Sequence, residues 1–151
     1  KMDTLSKFGF LAAEFLLKNQ QLDQISPYQK GLIFQNKSSS LATDKAYSQT
    51  IVDIASPALF VYTLPNIVLG EISIRHQFKG ENSFFIADHY QLDKQYEYIK
   101  VIEARNEIHT LLSGYVEFDG TQYDICMFHL NKSAINQPQV SLDILEKAYL
   151  S

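Results

Sequence analysis

The chain has 151 residues, 46% of them hydrophobic and 20% charged, which is enough for one domain with a real core. Its net charge of -4 leaves no electrostatic footprint for nucleic acid. The single cysteine, Cys126, excludes an internal disulfide framework, and no apolar run approaches the ~20 residues needed to span a bilayer.

Asp3 or Thr4 can cap a first helix with Leu5, Phe8, Ala12, Phe15 and Leu16 on one face, ending near Asn19. Residues 20–29 are polar, contain Pro27 and read as a loop. Gly31-Leu32-Ile33-Phe34 is a short continuous apolar run, as in a buried parallel strand. A polar turn follows at Asn36 to Ser40, then a helical pattern over 43–54 that Ser56-Pro57 breaks. Residues 57–77 are dense in apolar side chains. Pro65 can open a helix there, with Ile67, Val68, Ile72 and Ile74 buried and Gly70 allowing a close approach. A Phe-rich strand over 83–87 leads into a helix over 90–104, with Leu92, Tyr96, Ile99 and Ile102 or Val101 facing inward. Residues 108–118 and 122–130 are strand-like and joined by Asp119-Gly120, a strong hairpin signal. Residues 141–149 form a last amphipathic helix. This order of elements gives an α/β domain with a mixed, mostly parallel sheet covered by helices.

Asp88-His89 directly follows the Phe-rich strand, and such a pair at a helix start is either a reactive site or a cap. Asp88-His89-Tyr90-Gln91 fits the capping box Asp-x-x-Gln, in which Asp88 accepts from helix amides and Gln91 reaches back. The four histidines are far apart in sequence and form no i, i+4 pair, so a metal site needs tertiary convergence. Ser38-Ser39-Ser40 has no glycine-rich phosphate signature beside it and reads as a turn. Lys94, Glu97, Lys100 and Glu103 mark a solvated helix face.

Three blocks carry a family resemblance. "KMDTLSKFGFLAAE" looks like the segment of β-ketoacyl synthases where Lys-Met-Asp leads into a helix. "ASPALFVYTLPNIVLGEISIRHQFKGEN", residues 55–82, resembles their Ser-Pro … Pro-Asn … Gly … Ile … Lys-Gly-Pro-Asn stretch, with Glu81 in place of Pro. "LLSGYVEF", residues 111–118, is similar to their Gly-Gly strand, with Gly114 matching the first glycine and Tyr115 replacing the second. The resemblance implies the thiolase fold: two similar halves, each a five-stranded sheet between helices. Residues 1–151 then form a single domain like the N-terminal half. A first strand is expected before Lys1, and the family's two active-site histidines belong to a C-terminal half.

In that family the Phe-rich strand ends at a nucleophilic cysteine on the N-terminus of a buried helix. The helix dipole and free N–H groups there lower a thiol pKa and hold an oxyanion. Counting seven residues on from Asn82 puts His89 at this position, with Asp88 beside it. Tyr90, Gln91 and Leu92 stand where the family has small residues and would crowd an acyl thioester. The nucleophile is therefore expected to be absent, and Cys126, on a later strand, is expected to be a core thiol. In the thiolase fold the strand before the nucleophile is a sheet edge that pairs antiparallel with its copy. Phe84, Phe85, Ile86 and Asn66 are the interface residues this implies.

The reading is a β-ketoacyl-synthase-like protein without the catalytic Cys, serving as a non-catalytic partner or scaffold subunit in fatty-acid or polyketide-type biosynthesis. It is expected to form a homodimer, or a heterodimer with a complete ketoacyl synthase, with acyl carrier protein as a further partner. No cofactor is expected, and a cytoplasmic location is expected because nothing at the start reads as a signal peptide. The alternative is a degenerate acyl-transferring enzyme acting through Asp88 and His89 on acyl thioesters or acyl carrier protein. A tunnel reaching His89 would favour the enzyme, and filling by Tyr90 and Leu92 the partner subunit.

Overall fold

The computed structural model describes residues 2–132 and 141–150. Asp3 opens α1 (Thr4–Leu17) by accepting the Ser6 N–H at 2.9 Å. Strand β1 (Lys30–Asn36) follows two short 3-10 turns. The chain then runs through α2 (Leu41–Thr50), α3 (Pro57–Phe60) and α4 (Ile67–His76) to β2 (Asn82–Ile86). Helix α5 (Leu92–Ala104) leads to the hairpin β3 (Thr110–Phe118) and β4 (Tyr123–Asn131), and α6 spans Leu142–Leu150.

The sheet order is β2-β1-β3-β4. β1 pairs parallel with both β2 and β3, and β4 is antiparallel to β3. All seven β1 residues are buried, as a parallel strand covered on both faces requires. One core packs α1 and α4 on the sheet through Leu5, Ala13, Leu32, Phe34, Val68 and Ile72. The opposite face packs α5 through Ile33, Ile99, Ile102, Leu111 and Leu130. The sheet thus lies between helical layers, with β2 as a free edge. Asp119 shapes the hairpin turn, accepting the Thr121 and Gln122 N–H groups at 2.7 and 2.8 Å. Those bonds hold its carboxyl at about 2, below the ordinary range.

Several local expectations are corrected. The buried face of α1 runs through Leu5, Gly9, Ala13 and Leu17, and Phe15 is 81% exposed. The reason is Gly9: a Cβ there would overlap the Val68 side chain, so the glycine row sets the contact with α4 and turns Phe15 outward. On α4, Val68 and Ile72 are buried, but Ile74 is 76% exposed. Gly70 makes no close approach to another element: an added Cβ would find nothing within 4 Å beyond its own helix backbone. Pro65 lies before α4, which begins at Ile67. On α5 it is Ile102 that faces inward, with Val101 outside. Among the described residues, no single helix is long and apolar enough to cross a membrane.

Candidate functional site

β2 ends at Ile86, and the Ala87 N–H still bonds to the Asn36 carbonyl at 3.0 Å. The chain then turns outward. The Asp88 and His89 side chains are 78% and 70% exposed, and His89 Nδ1 lies 2.7 Å from Asp88 Oδ1. The imidazole beside Asp88 holds its carboxyl below the ordinary value. Gln91 Nε2 also reaches Asp88 Oδ1, at 3.3 Å.

The expected cap does not form. Helix α5 begins at Leu92, three residues after His89, and Gln91 makes no side-chain cap bond. The cause is Gln35, buried on β1. Its amide donates to the Gln91 carbonyl at 3.1 Å and accepts the Gln91 N–H at 3.2 Å. This pins Gln91 outside helical geometry (φ -94, ψ 72) and delays the helix. Asp88 therefore meets the Gln91 side chain rather than helix amides, and His89 stands off the helix terminus whose dipole would tune it.

The next residue points inward. Tyr90 is 8% exposed and packs with Leu92, Tyr115 and Leu145. Its ring stacks on Tyr115 at 5.1 Å between centroids and meets Tyr149 edge-on at 5.0 Å. The Tyr90 hydroxyl donates to Gln95 Oε1 at 2.7 Å, and Gln95 Nε2 donates to the Ile33 carbonyl at 2.9 Å and the Gly114 carbonyl at 3.3 Å. Burial pushes the Tyr90 and Tyr115 hydroxyls well above the ordinary tyrosine value. They act as neutral donors, and Tyr115 donates to Glu117 Oε2 at 3.4 Å.

The sequence reading did not single out Gln35 or Gln95. A signal existed for Gln95: positions 92, 95, 99 and 102 form one helical face, and a polar residue on it needs buried partners. Gly114 is required by β4, since a Cβ there would overlap the Cys126 carbonyl. Cys126 is half-buried on β4, at the far side of the sheet from β2. Burial, with Asp124 nearby, pushes its thiol to about 11, so it is not a thiolate nucleophile at neutral pH. His76 pairs with Glu14 at 2.9 Å, and His129 meets Thr110 Oγ1 at 2.7 Å. Among the described residues, no three His, Cys, Asp or Glu converge to hold a metal.

Two clefts flank the free edge of β2. On the α5 side, about 350 Å³ is lined by Gln35, Phe85, Ile86, Gln91, Lys94 and Tyr98. On the α4 side, about 560 Å³ is lined by residues that include Asn66, Ile67, Gly70, Ser73, Asn82 and Phe84, none of them charged. The structure thus brings Asn66 and Phe84 to one cleft and Phe85 and Ile86 to the other. His89 lines neither.

No protein-family model and no curated protein matches the sequence. Solved structures match its fold. A chain of the ketosynthase (ApeO) in complex with its chain length factor (ApeC) from Xenorhabdus doucetiae matches with TM-score 0.62 and 17% identity, over 80% of this chain and 48% of that one. A chain of the ishigamide ketosynthase/chain length factor matches with TM-score 0.65 and 18% identity, over 77% and 34%. The chain therefore has the thiolase-like fold of these complexes and spans about half or less of the length of the chains it matches.

Proposed function

We propose that this protein is a non-catalytic subunit that pairs with a ketosynthase in fatty-acid or polyketide-type synthesis. The observation that carries the reading is the filled volume behind the strand end. Where the family resemblance places a nucleophile and then small residues, this chain puts His89 on the surface and a buried Tyr90–Gln95 pair behind it. Among the described residues His89 lines neither cleft beside β2 and its side chain is 70% exposed, whereas condensation needs a site in which water is excluded and charge is stabilised. β2 is the proposed docking edge, with Phe84, Phe85, Ile86 and Asn66 at its contact. It takes either a ketosynthase or a second copy. The chain's role in the pair is structural, and acyl carrier protein delivers its thioester to the partner.

The 2.7 Å contact of Asp88 with His89 favours the second reading, a degenerate acyl-transferring site. The test is light scattering of the protein alone and mixed with complete ketosynthases from the same source, followed by a malonyl-thioester condensation assay on any complex. A heterodimer whose condensation survives His89→Ala supports the partner role. Loss of condensation in that variant moves the chemistry to His89. A protein that joins no ketosynthase removes the heterodimer reading.

A further inference from the structure

The cleft on the α5 side of β2 holds about 350 Å³, within the range of small-molecule sites. Its walls are apolar: Phe85, Ile86 and Ala87 from the strand end, and Tyr98 from α5. The Phe85 and Tyr98 rings meet edge-on at 5.3 Å. The Tyr98 hydroxyl donates to Glu81 Oε1 at 3.0 Å, so its ring is left to serve as wall. Two buried amides also line the cleft, Gln35 at 3% and Gln95 at 1% exposure. Gln95 Nε2 is used on the Ile33 and Gly114 carbonyls. Gln35 Nε2 bonds the Gln91 carbonyl at 3.1 Å, and its second N–H has no partner among the described residues. Among the described residues that line the cleft, Lys94 alone is charged. No hydrogen bond or ion pair among the described residues holds its ammonium. Further along α5, by contrast, Lys100 pairs with Glu97 at 3.7 Å and lies over the Tyr96 ring. Asp88, which the Gln91 amide touches, is engaged by His89 at 2.7 Å. Free donors are thus gathered at a cleft with aromatic and aliphatic walls.

We infer that this cleft binds a small aromatic carboxylate, with its ring against Phe85 and Tyr98 and its carboxylate at the Lys94 ammonium. Each part of the ligand follows from the lining. An aromatic ring packs edge-on or offset on the rings of Phe85 and Tyr98. A carboxylate accepts a charge-assisted bond from an ammonium that has no other partner. A cationic ligand would set its charge against Lys94, and a neutral one would leave the ammonium without a counter-charge. The site is formed by the single chain, from one strand end and the helix that follows it, whatever pairs with β2.

The probe is hydrocinnamate, with hydrocinnamamide as its uncharged counterpart, each titrated into the native protein by calorimetry. The acid should bind saturably, with a dissociation constant of about 1 mM or tighter for a ligand of its size. The amide should bind about 5-fold more weakly, the scale of one exposed ion pair. Lys94→Gln should abolish the difference between the two. It should move the melting temperature by no more than about 2 °C, because Lys94 is exposed. Ala87→Leu, which narrows the cleft, should weaken acid and amide alike. No saturable binding of the acid up to about 20 mM overturns the inference. So does an acid preference that survives Lys94→Gln. Binding that Ala87→Leu leaves unchanged also overturns it, because the ligand then sits elsewhere. Lys94→Gln decides the matter even if Ala87→Leu does not fold. The ketosynthase pairing is decided separately, by its own mixing experiment.

Discussion

Residues 88–89 and residues 90–95 are neighbours in sequence and opposites in physics. The first pair is mostly in water, and its contacts are between its own two side chains and from the Gln91 amide to Asp88. The second stretch holds Tyr90 and Gln95 at 8% and 1% exposure, with each polar end matched to a partner. Polar residues at a strand end do not make a reactive site by themselves. What makes one is a volume from which water is excluded while a substrate is admitted, and here that volume holds a tyrosine ring.

The sharpest break of this comparison is Tyr90→Ala. It removes a buried aromatic side chain from between Tyr115 and Tyr149 and strips Gln95 Oε1 of its donor. The expected loss is roughly 3–5 kcal/mol, as for other buried aromatics, read from urea denaturation. A loss under about 1 kcal/mol would mean that the aromatic cluster yields easily and that an acyl group could displace it.

Gln95→Leu comes next. It leaves the buried Tyr90 hydroxyl without an acceptor, at a cost of roughly 2 kcal/mol. Adding Tyr90→Phe removes the orphaned hydroxyl as well, so the double variant should be more stable than Gln95→Leu alone. If the second change destabilises further, the hydroxyl has another partner and Gln95 is not its anchor.

Much of the fold was legible because it follows from period and punctuation. The apolar run at residues 31–34, the Phe-rich run and the Asp-Gly turn each became the expected strand or hairpin. The start of α5 was not legible, because it is set from a distance. Gln35 holds Gln91 across 56 residues, and no local capping pattern contains that information. Phe15 and Ile74 were misread for a related reason. Their helices are amphipathic enough for several faces, and the choice was made by Gly9 fitting against Val68. The candidate interface was legible in part: the apolar run marked the Phe-rich strand and the family resemblance implied an edge position, which the sheet order shows, while the two clefts beside it needed the structure.

His129 extends the comparison to pH. Burial holds His129 below its ordinary value of 6.5, so the unfolded chain takes up that proton at a higher pH than the folded one. The stability it contributes is complete above about 6.5 and is lost as pH falls below it, since the unfolded state then binds more protons. The melting temperature should fall between pH 7.5 and 5.5, and His129→Gln should fall less over that interval. An unchanged slope in the variant would place the pH dependence on other groups.

The smallest expected effect is at His89. Its side chain is 70% exposed and touches Asp88, itself on the surface. His89→Ala should shift the melting temperature by no more than about 2 °C, as for surface positions outside packed networks. It should also leave condensation by a ketosynthase complex unchanged. The value of this small effect lies in its contrast with Tyr90→Ala one residue later. If His89→Ala were instead the change that silences the complex while leaving it folded and paired, exposure in the isolated chain would be no guide to the assembled site. The partner would then have to enclose Asp88 and His89, so that docking at β2 completes a reactive pocket instead of covering an edge.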